Sequence, residues 1–170
     1  VVTGSTGANT IVGTALADQI TGGNGADVIT GGAGNDVIDL TETTAAADKV
    51  TFTSDHAATA INNDNVDTIT GFGNGDTLVF TDATLLTFVK GGVATGTVLD
   101  NSGTDSTTAT SGAGAADAKI DFSVSSGVTT VTIDLDSDGT DTSYMTIKLV
   151  GTFTDLTKWQ VAADGLTWIG

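Results

Sequence analysis

Over the first 39 positions, isoleucine recurs every ninth residue. Ile11, Ile20, Ile29 and Ile38 each sit at the centre of a short β-favouring segment: Thr10-Ile11-Val12, Gln19-Ile20-Thr21, Val28-Ile29-Thr30 and Val37-Ile38-Asp39. Side chains alternate along a strand, so each Ile points one way and its neighbours the other. This pattern predicts four short strands lining a narrow Ile core. Six-residue, Gly-rich stretches separate them and read as turns. Residues 4–39 thus divide into GSTGANTIV (4–12), GTALADQIT (13–21), GGNGADVIT (22–30) and GGAGNDVID (31–39). Two consecutive units make one coil of 18 residues with a strand on each side, and each turn stacks over the turn two units away.

After Asp39 the period breaks. A fifth regular unit, Leu40–Asp48, would place Ala45 at the position that is acidic in units two to four. Period-two alternation takes over in Val50/Phe52, Leu78/Phe80, Ile120/Phe122/Val124, Val131/Ile133/Leu135, Met145/Ile147/Leu149, Trp159/Val161 and Leu166/Trp168, between Gly/Ser/Asp turns. That pattern predicts antiparallel sheet. Residues 101–117 are small and of low complexity, and read as a mobile loop or a hairpin extension. Helix is expected to be almost absent, with one short turn in Thr154–Trp159. The fold expected is all-β: a short parallel β-roll over 1–48, then an antiparallel, sandwich-like region over 49–170. Within the latter, 49–80 closes the roll and 81–170 forms a sandwich packed end-on against it.

Charge adds the chemistry. Five Lys and no Arg face 21 Asp and Glu, a net charge of −16. Nucleic acid, anionic membranes and phosphorylated ligands all require cationic groups, so they are excluded as partners. With no Cys there is neither a disulfide framework nor a zinc-thiolate site. No apolar run reaches the roughly 20 residues of a membrane span, so no membrane insertion is expected. There is no N-terminal signal peptide; a start at Val1 without Met fits a mature or excised fragment.

Part of the negative charge is periodic. The sixth position of the units is Asn9, Asp18, Asp27 and Asp36. The coil stacks Asp18 on Asp36 and Asn9 on Asp27, and stacked carboxylates repel unless a cation lies between them. Carboxylates plus the carbonyls of Gly22, Gly23, Asn24, Gly25, Gly31, Gly32 and Gly34 make a hard, all-oxygen site that suits Ca²⁺ better than Mg²⁺ or zinc. The leading site is expected between units two and four (Asp18, Asp36). A second is expected between units one and three (Asp27, with Asn9 as a neutral ligand). Unit two has Thr14 and Leu16 where the second and fourth glycines stand elsewhere, so its turn is less ideal.

GGNGADVIT and GGAGNDVID resemble the G-G-x-G-x-D-x-U-x repeat of RTX proteins, with Ca²⁺ bound in the turns of a right-handed parallel β-roll. The resemblance spans residues 13–39, with a degenerate leading unit at 4–12. Asp67-Thr-Ile-Thr-Gly-Phe-Gly-Asn-Gly-Asp76-Thr-Leu-Val-Phe80 is similar to the segment that closes the roll in exported RTX proteins, and Asp76 there reads as a Ca²⁺ ligand or a turn cap. Glu42 reads as a turn cap, an ion ligand or a solvated acid. Asp134-x-Asp136-x-Asp138-Gly139 starts like a calcium loop, but Met145 stands where an EF-hand needs a bidentate Glu. It reads as a hairpin turn, with a further ion on Asp134, Asp136 and Asp138 as the alternative.

His56 is the only histidine, no G-x-S-x-G elbow is present, and no acid pair is set to split its pKa values, so no enzyme is expected in these residues. The resemblance implies type I secretion through an ABC transporter and calcium-driven folding outside the cell. A Thr/Ala/Gly-rich chain without Cys, Pro or Arg is similar to RTX-containing S-layer proteins. This implies a structural, cell-surface role in which the domain self-associates into a lattice or filament. The alternatives are the secretion module of an exported hydrolase (a protease or lipase) and the terminal module of a large adhesin.

Overall fold

The computed structural model describes residues 1–53, 66–81, 119–134 and 145–170. The nonapeptide strands form where the Ile period places them: β2 (Thr10–Val12), β3 (Gln19–Thr21), β4 (Val28–Thr30) and β5 (Val37–Asp39), preceded by β1 (Val2–Thr3). Each pairs in parallel with the strand one coil away, with Ile11 opposite Ile29 and Ile20 opposite Ile38. All four isoleucines are buried. At roughly 1.5–3 kcal/mol for each fully buried aliphatic side chain, the stack supplies the inward drive that three-residue strands lack alone.

The parallel ladders run on past the last regular repeat. β6 (Lys49–Phe52) pairs with β4, β7 (Val66–Thr70) with β5, and β8 (Thr77–Phe80) with β6, placing Val50 on Ile29, Ile69 on Ile38 and Leu78 on Val50. The C-terminal strands then add to the two free edges of the roll. β11 (Met145–Val150) pairs in parallel with β7, and β10 (Val128–Asp134) and β9 (Lys119–Ser125) follow antiparallel. On the other layer β13 (Gly165–Trp168) pairs antiparallel with β8, and β12 (Trp159–Val161) with β13. The result is a seven-stranded sheet (β1-β3-β5-β7-β11-β10-β9) and a six-stranded one (β12-β13-β8-β6-β4-β2). The antiparallel region is therefore a continuation of the two roll layers, because unpaired edges at β7 and β8 are the strongest docking sites for incoming strands.

One apolar cluster runs from Ile11 to Leu166. It widens from single isoleucines into aromatic packing, with Trp159 at ring-centroid distances of 5.8 Å from Phe72, 5.2 Å from Phe122 and 5.3 Å from Trp168. The indole N–H of Trp159 donates to the Phe153 carbonyl at 2.9 Å. The β9–β10 hairpin turns on Ser126 and Gly127, both at positive φ (53° and 77°), as a right-twisted two-residue turn requires. The only helical element among the described residues is a 3₁₀ turn, Leu156–Lys158, capped by Asp155. No helix there is long and apolar enough to cross a membrane.

Candidate metal centre

Folding brings the sixth-position residues into two columns, one along each edge of the roll. In each column a carboxylate accepts a hydrogen bond from the main-chain N–H of the residue one coil below. Asp36 Oδ1 accepts from Asp18 N (2.8 Å) and Asp27 Oδ1 from Asn9 N (2.7 Å). The columns then continue beyond the repeats. Asp48 Oδ1 accepts from Asp27 N (2.8 Å), Asp76 Oδ1 from Asp48 N (2.9 Å) and Asp67 Oδ1 from Asp36 N (2.8 Å). One column is Asn9-Asp27-Asp48-Asp76 and the other Asp18-Asp36-Asp67. The stacked acids are thus separated by main-chain amides, a second means of holding them besides a cation.

Asp48 and Asp67 are missing from the sequence expectation because the spacing changes. Asp48 follows Asp27 by 21 residues and Asp67 follows Asp36 by 31, against 18 in the regular coil. Longer turns absorb the excess, so the acid of the irregular fifth turn is Asp48, while Ala45 lies within that turn. A local signal was there: Asp27-Val-Ile29, Asp48-Lys-Val50, Asp67-Thr-Ile69 and Asp76-Thr-Leu78 share an acid two residues before an inward aliphatic.

Asp27, Asp36, Asp48, Asp67 and Asp76 are all buried, and Asp27 is only 1% exposed. Its Oδ1 is held by Asn9, but its Oδ2 has no hydrogen-bond partner. A buried carboxylate oxygen left unsatisfied is costly. Among the described residues no three His, Cys, Asp or Glu side chains form a metal-ligating group. A cation here would therefore draw its remaining oxygens from the backbone. The turns supply them: Gly23, Gly25, Gly32 and Gly34 all have positive φ, which re-aims the adjoining peptides. A hard cation taking one or two carboxylates and several carbonyls fits this donor set.

The first two turns are built differently. Asn9 Oδ1 accepts from Ser5 N (2.6 Å) in its own turn, and Asp18 Oδ2 accepts from Thr14 N and Thr14 Oγ1 (both 2.8 Å). These bonds hold the Asp18 carboxyl below the usual range, led by the Thr14 hydroxyl. Glu42 acts as a cap: Oε1 accepts from Gly25 N (2.7 Å) and Oε2 from Ala46 N (2.6 Å). Asp76 both caps its turn, accepting from Gly73 N at 2.7 Å, and extends the column. Burial pushes the Asp48 carboxyl up to about 6, the charges of Asp76, Glu42 and Asp27 adding to the rise and the Asp27 N–H opposing it. Burial likewise pushes Asp76 up to about 6, aided by Glu42 and opposed by the Asp48 and Gly73 amides. Asp134 ends β10, while Asp136, Asp138, His56 and the 101–117 stretch lie outside the described residues.

Repeated coils, with left-handed glycines and a buried acid in each turn of the second, define the segment. Residues 3–38 match the RTX calcium-binding nonapeptide repeat, in four copies. RTX repeats bind Ca²⁺, which is the ion that the donor set of these turns favours. The chain is also similar to the solution structure of the AlgE6R2 subunit from the Azotobacter vinelandii mannuronan C5-epimerase. That match has 21% identity and a TM-score of 0.42, over 89% of this chain and 84% of that one. No curated protein matches the chain. The RTX match ends at residue 38, while the acid columns run on to Asp67 and Asp76.

Proposed function

We propose that this chain is a calcium-dependent structural domain of an exported, cell-surface protein, which folds when it meets Ca²⁺ outside the cell. The observation that carries the reading is the buried Asp27 carboxylate, with one oxygen on the main chain below and the other unsatisfied. The proposed ligands are Asp27 and Asp36 with carbonyl oxygens of the turns 22–25 and 31–34. Asn9 and Asp18 serve at the lower end and Asp48, Asp67 and Asp76 extend the columns. Extracellular calcium modules bind with Kd of roughly 10⁻⁴–10⁻³ M, which suits a fold that stays open where Ca²⁺ is scarce. At ten times Kd each site adds about 1.4 kcal/mol to stability by linkage. The ion neutralises charge and fixes the turns; the repeat segment itself is non-catalytic.

A type I secretion route through an ABC transporter fits a chain that must thread unfolded and then fold on Ca²⁺. Self-association into an S-layer lattice is supported by composition, with no Cys, Pro or Arg and 34 Thr in 170 residues. The test is circular dichroism with light scattering during a Ca²⁺ titration of chelated protein. A cooperative gain of β-structure followed by ordered assembly is expected. Complete β-structure in chelator, unchanged by Ca²⁺, overturns the folding switch; folding without assembly overturns only the lattice role.

A further inference from the structure

We propose that the first coil, residues 4–21, is an end cap: β1 pairs beneath β3, but Ser5, Thr14 and Leu16 bar the turns of another coil from stacking beneath it. The argument starts at the second coil. There the second and fourth turn positions are Gly23, Gly25, Gly32 and Gly34, all at positive φ between 99° and 105°. A Cβ on Gly23 would run into the Ser5 carbonyl oxygen, and one on Gly32 into that of Thr14. A Cβ on Gly34 would lie 2.8 Å from Leu16 C and Ala17 N. These glycines are what let one turn settle on the turn below.

In the first coil the corresponding positions are Ser5, Gly7, Thr14 and Leu16. Ser126 is the only non-glycine residue at positive φ among the described residues, so Ser5, Thr14 and Leu16 do not adopt the left-handed turn. A coil placed beneath them in the same geometry would meet their side chains where the second coil offers only hydrogen. The hydrogen bonding agrees independently. Asp27 and Asp36 reach down to amides of the coil below, whereas Asn9 and Asp18 turn back onto Ser5 and Thr14 of their own turns. Asn9 Oδ1 is spent inside its own turn and Asp18 Oδ2 on Thr14, so only Asp18 Oδ1 is left to take an amide from a coil beneath. The cap is also poor in charge: residues 1–17 contain no charged side chain in a chain with 21 acids, and Asp18 is the only charged side chain of the first coil.

A repeat stack needs such a terminal unit, since an open end is a template for further stacking by the same chain or by a second copy. A segment ahead of Val1 would leave the roll axis, and assembly of the domain would use surfaces other than this end.

The experiment adds one coil and asks whether it packs. A copy of residues 22–36 fused ahead of Val1 makes Val1-Val2-Thr3 the strand of an added repeat. The fusion is made in the native chain and in S5G/T14G/L16G, and both are digested in Ca²⁺ with a broad-specificity protease. Mass spectrometry follows the extension. Loss of the extension is expected to be at least about tenfold faster in the native background, where it stays open, than in the triple-glycine background. Protection of the extension on the native chain overturns the proposal. Equally fast loss in both backgrounds overturns it too, because the barrier then does not lie in these three side chains. Circular dichroism of the unextended triple variant confirms that it folds. The readout is packing, so it stands apart from the Ca²⁺ titration that tests the folding switch.

Discussion

A single carboxylate shows how position sets role. Asp27 gives one oxygen to a main-chain amide and keeps the other buried without a partner, while Asp18 spends its Oδ2 on Thr14. Asp27→Asn keeps an acceptor for Asn9 but removes the buried charge. Stability in chelator is therefore expected to hold or rise, while the Ca²⁺ midpoint moves up by about tenfold, equivalent to ~1.4 kcal/mol. Urea melts with and without Ca²⁺ read both. Asp164→Ala, which removes only the exposed 2.7 Å pair with Lys49, is expected to leave the midpoint in place. Protons compete for the same acids. Asp48 and Asp76 have folded pKa values of about 6, above the 3.8 of the open chain, so the folded state binds more protons between those values. Stability without calcium should rise as pH falls from 7 towards 4 and be lost again as pH climbs through 6. Asp18 and Asp155, held low by the hydroxyls of Thr14 and Thr157, oppose this only in more acid solution. Thermal melts in chelator across pH 4–8 check the sign, which reverses the usual acid destabilisation.

At the level of elements, three-residue strands survive because each turn docks on another. Gly32 has φ +104° and lies against the Thr14 carbonyl, whereas Gly7 has open space around it and no positive φ. Gly32→Ala is expected to cost more than about 2 kcal/mol, combining left-handed strain with a main-chain collision, and Gly7→Ala well under 1 kcal/mol. Paired denaturant melts in Ca²⁺ separate them, and equal losses would refute the docking argument. Ile29→Ala opens a cavity between β2 and β6 and is expected to cost about 2–5 kcal/mol. These strands were legible because the Ile period and the Gly turns agree. Asp48 and Asp67 were not, because turns of irregular length hide a register that only pairing of β6 on β4 and β7 on β5 restores.

Across the molecule, the acid columns and the aromatic end form one body. The rising main-chain ladder runs Val28 N to Asn9 O, Lys49 N to Asp27 O and Thr77 N to Asp48 O. It ends with Trp168 N on the Asp76 carbonyl, at 3.0 Å, so the last acid of one column meets the aromatic cluster directly. Calcium uptake at the turns should therefore be felt at Trp159 and Trp168. Tryptophan emission and far-ultraviolet dichroism are expected to change over the same Ca²⁺ range, and two separated transitions would show that the halves fold independently.

The sequence by itself determined the coil of 18 residues, the Ile core, the strand positions and the acid at each regular turn. A nine-residue period fixes side-chain direction and turn chemistry locally. Tertiary structure alone decided that the antiparallel strands extend the roll's own sheets and that the acid columns reach Asp67 and Asp76. Each of those depends on which edge, amide or carbonyl lies one coil away, at sequence distances that no local pattern encodes.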